Sequence, residues 1–281
     1  MKKLGLVGMV GLLLFSVSAW DAGAQNYVQT HENGKVDWTA GVAEARGIGA
    51  PPAQPINMAQ ARAMAKRAAV TVARRNLLEI IKGVRIDSTT LVKDFVVQSD
   101  IIRTQIQGFL ERSQVVDIAY MSDGSVEATV AMNLRGGFTN LVLPDTVKPI
   151  PSLPPAPAPP AVPPEKEVEA FTGLVIDSRG FPLKPAMSPK IVDEDGNEVY
   201  GSSYVGRDYA INQGMVGYAK DLTAAQTNDR VTNKPLTIKG LRTADTGDSD
   251  IVVSNADAAK MQGNQENLEV LKKCRVMVVL D

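Results

Sequence analysis

Ten of the chain's 17 prolines fall between Pro144 and Pro164, most of them in the run "PSLPPAPAPPAVPPEKE" that begins at Pro151. Proline lacks a backbone N–H and fixes its own φ, so neither a helix interior nor a central strand can pass through such a run. Any folded core must lie on either side of it. In polyproline II form the stretch would reach roughly 65 Å, at about 3.1 Å per residue. It divides the 281 residues into a first unit at 25–143, a linker at 144–167 and a second unit at 168–281. Each flank has the size of an ordinary domain. The linker reads as a spacer that holds the second unit at a distance from the first. Proline-rich segments also serve as ligands for aromatic grooves.

Residues 1–24 read as a secretory signal. Lys2 and Lys3 supply the charged start, and Leu4 to Val17 form an uncharged, mostly apolar run. Ala22-Gly23-Ala24 is a small-x-small site, which predicts cleavage before Gln25. The run is short against the roughly 20 apolar residues of a permanent span, although an uncleaved anchor is the alternative. Cys274, the only cysteine, lies far from this site. It can carry no lipid there, and a single cysteine forms no intramolecular disulfide. Its setting in "KKCRVMVVLD" resembles a strand, so a buried small hydrophobe is expected. A formal net charge of −1 provides no global field to attract nucleic acid, and aromatics at 5% leave little surface for stacking on bases. The expected address is periplasmic or outer-membrane-associated.

In the first unit Val36, Trp38 and Ala40 alternate with polar or small residues, as in a half-buried strand. "RGIGAPP" then reads as a structural turn: Gly47 and Gly49 make only G-x-G, short of a phosphate-binding fingerprint. A long helix follows, with Asn57 as N-cap and Gly83 as its stop. Ala61, Ala65, Ala68, Ala69 and Val72, then Leu77, Ile80 and Ile81, form its apolar stripe. Alanines there let the helix approach a sheet closely. Arg62, Lys66, Arg67, Arg74 and Arg75 cover the rest, reading as a solvated face with nucleic acid or anionic lipid as alternatives. A short strand and a second helical region come next. Val115, Val116, Ile118 and Tyr120, the turn Asp123-Gly124, and Val126, Ala128, Val130 and Met132 predict a closing hairpin.

Together "VDWTAGVAEARGIGAP", "AKRAAVTVARRNLLEIIKGVRID" and "VVDIAYMSDGSVEATVAMNL" resemble one family of exported bacterial domains. It comprises the twenty-kilodalton Lpp outer-membrane lipoproteins and the N-terminal domain of the flagellar assembly protein T. The resemblance covers about residues 33–136. It implies an α+β domain, one long helix on a small antiparallel sheet, and an envelope role without catalysis. The lipoproteins carry a lipid on an N-terminal cysteine, which this chain lacks.

The second unit reads as a mixed α/β domain. Val175-Ile176, Ile191-Val192, Val199-Tyr200, "PLTIKGLRT", "SDIVVS" and "CRVMVVLD" are strand candidates, and "NADAAKM" and "ENLEVLKK" are helix candidates. The chain as a whole is therefore expected to be α+β. "DEDGNE", with Asp193, Glu194, Asp195 and Glu198, departs from the EF-hand pattern and fits a hairpin turn. His31, the only histidine, is placed in a flexible N-terminus, which leaves no Ser-His-Asp or Cys-His arrangement. No catalytic residue, metal or cofactor is expected.

Tyr200, Tyr204, Tyr209 and Tyr218 concentrate four of the six tyrosines among glycines. They are the candidate interaction surface, since tyrosine joins apolar area to a hydroxyl; half-buried structural tyrosines are the alternative. The expected function is that of a non-enzymatic envelope protein, an interaction or assembly module for outer-membrane or flagellar basal-body partners. The alternative is a periplasmic protein that binds a glycan or small molecule through the second unit.

Overall fold

The computed structural model describes residues 26–144, 147, 169–245 and 247–281. The expected signal segment and most of the proline-rich linker lie outside the described residues.

The first unit contains β1 (Val28–His31), β2 (Gly34–Asp37), β3 (Val42–Gly49), α1 (Met58–Lys82), α2 (Val92–Gln98), α3 (Asp100–Glu111), β4 (Gln114–Tyr120), β5 (Val126–Asn133) and α4 (Gly137–Val142). Its strands form one antiparallel sheet in the order β1-β2-β3-β5-β4. His31 is thus not in a loose terminus; it closes β1 opposite Gly34.

The helix begins where expected, with the Asn57 side chain accepting from the Gln60 N–H at 2.8 Å. It buries Ala61, Ala65, Ala69, Ala73, Leu77, Ile80 and Ile81. Its buried seam steps mostly by four, so Ala68 stays exposed and Val72 only half-buried. Arg62, Lys66, Arg67 and Arg75 keep to the solvent side, while Arg74 donates to the Ser113 hydroxyl at 3.3 Å.

The "RGIG" segment is not a turn. It is the second half of β3, paired with β5 through Gly49↔Val126. A Cβ on Gly47 would lie 2.1 Å from the Ala73 nitrogen, and one on Gly49 would lie 2.2 Å from the Ala65 oxygen. The glycines therefore let helix and strand backbones touch, with the alanine seam as the other half of that contact. The far face of the sheet is turned to solvent, with Arg46 and Ile48 exposed on it and a Lys35–Glu44 ion pair at 3.2 Å between facing strands. The short strand expected after the helix reduces to one bridge between Arg85 and Leu91.

The second unit contains β6 (Gly173–Asp177), β7 (Ile191–Val192), β8 (Glu198–Tyr200), α5 (Arg207–Gln213), β9 (Gly217–Ala219), α6 (Leu222–Gln226), β10 (Pro235–Lys239), β11 (Arg242–Thr243), β12 (Ile251–Val252), α7 (Asn255–Gln262), α8 (Gln265–Lys272) and β13 (Val276–Val279). Four strands make an all-parallel sheet in the order β10-β6-β13-β9. The runs "LVI" in β6 and "VMVV" in β13 are buried throughout, as expected of strands covered on both faces. A second sheet, β11-β12-β7-β8, mixes both pairing directions. Between β7 and β8, Asp193 accepts from the Asp195 and Asn197 N–H groups at 3.0 and 2.8 Å, so "DEDGNE" is a backbone turn. Cys274 is buried, in the turn before β13 rather than within it, and burial pushes its thiol up to about 11.

At the end of β6 the Asp177 carboxylate accepts from Arg179 at 2.8 and 3.0 Å and lies 3.4 Å from the Lys239 ammonium. The Arg179 hydrogen bonds hold it down at about 2. An unfolded aspartate titrates near 4, so the stability from this depressed group is complete above about pH 4 and is lost as pH falls toward 2. Asp177→Asn is expected to flatten the stability–pH curve across that window. Urea titrations at several acid pH values check this, and an unchanged slope would refute it.

The two units are not held apart. One continuous hydrophobic core includes Leu77, Ile81 and Phe138 of the first unit and Leu174, Ile251 and Val276 of the second. Backbone bonds cross the boundary: Ser188 N–H donates to Ile86 O at 2.7 Å, Met187 N–H to Arg85 O at 3.0 Å and Gly136 N–H to Ile211 O at 2.8 Å. The expectation of a distance-keeping spacer is therefore corrected: whatever path the linker takes, its ends return to a shared core.

Candidate functional site: the cleft between the units

The four tyrosines do not share one surface: Tyr204 and Tyr209 are exposed, whereas Tyr200 and Tyr218 are buried. Burial follows from their positions: Tyr200 ends β8 and Tyr218 is the centre of β9, both facing the core. Each buried hydroxyl has found a backbone partner, Tyr200 donating to Met215 O at 2.6 Å and Tyr218 to Ala186 O at 2.8 Å. The Tyr218 oxygen also accepts from the Ala186 N–H at 2.9 Å. Burial raises both phenols, Tyr218 to a value beyond the range in which it could act as an acid or base near neutral pH.

Tyr218 nevertheless marks a junction, where the edge strand β9 meets the first unit. The Thr39 hydroxyl donates to Tyr218 O at 2.7 Å and accepts from Tyr27 N–H at 2.8 Å. The Trp38 ring stands edge-on to the Tyr218 ring, centroids 5.8 Å apart and planes at 75°. Trp38 is held in turn by its indole N–H bond to the Gln29 side chain at 3.1 Å. The alternation Val36/Trp38/Ala40 places Trp38 inside as expected, but the strand ends at Asp37, Ala40 is exposed in the turn that follows, and Trp38 packs on Tyr218 of the other unit.

Beside this contact lies a cavity of about 360 Å³, bordered by Thr39, Arg135, Gln213, Tyr218, Asn228 and Arg230. A neighbouring apolar recess shares Arg135, Gln213 and Tyr218 and adds Trp38, Leu134 and Val216. Arg135 follows β5 of the first unit, and its guanidinium donates to Thr39 O at 2.8 Å. Arg230 follows α6 of the second, and donates to Cys274 O at 2.8 Å, to Gly214 O at 3.1 Å and to Gln213 O. Neither arginine forms an ion pair with a carboxylate among the described residues. Burial lowers both below the usual arginine value, and the charge on Arg135 adds to the effect on Arg230. Sequence reading missed both: single arginines in loops nearly a hundred residues apart carry no spacing signal, and only the docking of the units brings them together.

A second feature lies on the first unit. β4 is an edge strand of the five-stranded sheet, and Val115, Val116 and Tyr120 on it are 42%, 52% and 60% exposed. Met121, next along the chain, is also exposed. The register shifts between Val115 and Asp117, a bulge at Val116. The predicted hairpin forms, but only β5 has its apolar side fully buried, because α1 lies mainly over β3 and β5; of β4, Ile118 packs against Ala65, Ala69 and Ala128, while Val115, Val116 and Tyr120 stay exposed.

Residues 173–281 match the family described as Treponema pallidum Tp0624, second domain. The match spans the second unit from the first residue of β6 to the end of the chain, and less than half of the whole chain. No curated protein matches this chain. Among the described residues no helix is long and apolar enough to cross a membrane.

Proposed function

We propose that the protein is a non-enzymatic, exported cell-envelope protein whose first unit is an interaction or assembly module for partners at the outer membrane or flagellar basal body. The observation that supports this is the uncovered strand β4. An edge strand turns one row of N–H and C=O groups away from its own sheet, and side chains such as Val116 and Tyr120 would give an added strand apolar footing. The occupant fitting this edge is an extended segment of an envelope protein. The resemblance of residues 33–136 to the Lpp lipoproteins and the flagellar assembly domain agrees with that role.

Recovery of partners from crosslinked cells tests it, comparing the full chain with a Val116→Lys/Tyr120→Lys variant. Both positions are exposed, so the fold is expected to persist, as circular dichroism would check. The wild-type chain should recover outer-membrane or flagellar assembly proteins, and the variant should lose most of them. Equal recovery by both would refute the role of β4. A second reading, a ligand-binding protein, is favoured by the cleft beside Tyr218.

A further inference from the structure

We propose that the cleft between the units binds a small organic anion, its carboxylate or phosphate held between Arg135 and Arg230 and its uncharged body against Trp38 and Val216. This rests on the ligand-binding reading and is independent of strand addition at β4.

The argument begins with charge. Two guanidiniums from different units border one cavity, and neither is neutralised by a carboxylate ion pair among the described residues. Asp37 favours the charge on Arg135 without pairing with it, and Asp229 stands exposed at the rim. Like charges facing a partly desolvated space are costly until an anion enters.

Donor capacity points the same way. A guanidinium has five N–H groups in a planar fork. Arg230 uses Nη1 and Nη2 on three backbone carbonyls, which fixes its orientation and leaves Nε free of any such bond. The Arg135 guanidinium makes a single hydrogen bond, to Thr39 O. A purely structural arginine would account for Arg230, but not for a second, sparsely bonded guanidinium bordering the same space. Planar forks suit carboxylate and phosphate oxygens alike. Asn228, Gln213 and Thr39 border the polar part, while the adjoining recess is mainly apolar. An anion with a small uncharged body matches both parts better than a bare inorganic ion.

The test is titration of the purified full chain with inorganic phosphate, acetate, benzoate and N-acetylglucosamine at matched ionic strength, followed by calorimetry and thermal unfolding. Saturable binding of phosphate or of a carboxylate is expected, benzoate binding more tightly than acetate because its ring meets the apolar wall. Phosphate without the carboxylates, or the reverse, identifies which oxyanion the site takes. Arg135→Gln should weaken binding about tenfold or more, the worth of one charge-assisted hydrogen bond, with little change in unfolding temperature without ligand. Arg135→Lys keeps the charge, loses the fork and should weaken binding less; it replaces the glutamine variant if that one does not fold. Saturation by no anion, or equal affinity in both Arg135 variants and wild type, overturns the proposal. Binding of N-acetylglucosamine alone overturns the anion while sparing the ligand-binding reading.

Discussion

Gly47→Val is expected to destabilise the protein by more than about 3 kcal/mol, at or beyond the upper end for an overpacked core. The reason is what the new side chain meets. Its Cβ would lie 2.1 Å from the Ala73 nitrogen and 2.7 Å from the Ala73 Cα, atoms of a helix backbone that cannot swing aside as a side chain can. The helix would have to lift from β3, which opens the seam from Ala61 to Ile81 and the core beyond it. Urea unfolding followed by circular dichroism measures the loss. Arg75→Gln, on the exposed side of the same helix, is the control and should stay within about 0.5 kcal/mol. Comparable values for the two variants would show that the close approach of helix and strand is not needed.

Trp38→Ala should cost about 3–5 kcal/mol, the usual range for truncating a large buried aromatic. The ring is 8% exposed and spans the boundary between the units, so its loss removes packing on Tyr218 and the bond to Gln29 together. The same substitution should loosen the docking. Solution scattering of the wild-type chain is expected to show one particle, and that of the variant a larger, two-lobed one. Tyr218→Phe separates the two contributions: it keeps the ring facing Trp38 and removes only the hydroxyl bonds to Ala186, so it should destabilise without separating the units. Two lobes already in the wild type, or a loss below about 1 kcal/mol for Trp38→Ala, would contradict the shared core.

Much of the architecture was legible because it is written in local pattern. The Asn57 cap, the alanine-rich face and the Asp123-Gly124 hairpin each depend on residues a few positions apart, and each forms, though Ala68 and Val72 fall outside the buried seam. The α+β class follows from them. What was misread depends on partners distant in the chain. Gly47 and Gly49 look like a turn until a helix backbone is seen against them. The tyrosines look like a surface because glycines surround them, yet β9 pairs with β13, some sixty residues on, and that pairing turns Tyr218 inward. The length of the proline-rich linker suggested separation, but length sets only the greatest distance between two ends. The cleft was the least legible of all. Arg135 and Arg230 face one space only because the docking of two units brings them there, and no feature of either local sequence distinguishes them from other loop arginines.

The order of strands in the parallel sheet bears on how the chain comes to be folded at all. β13 lies between β6 and β9, so the two older strands have no bond to each other until the youngest has arrived. A chain emerging N-terminus first can form the five-stranded sheet and its long helix early, from segments already at hand. The second unit has to wait with its middle open, apolar edges unpaired, until Val279 is released. Long-range parallel pairing is slow and prone to association while it waits. A first unit able to fold ahead of its neighbour would then be a template on which the late sheet closes.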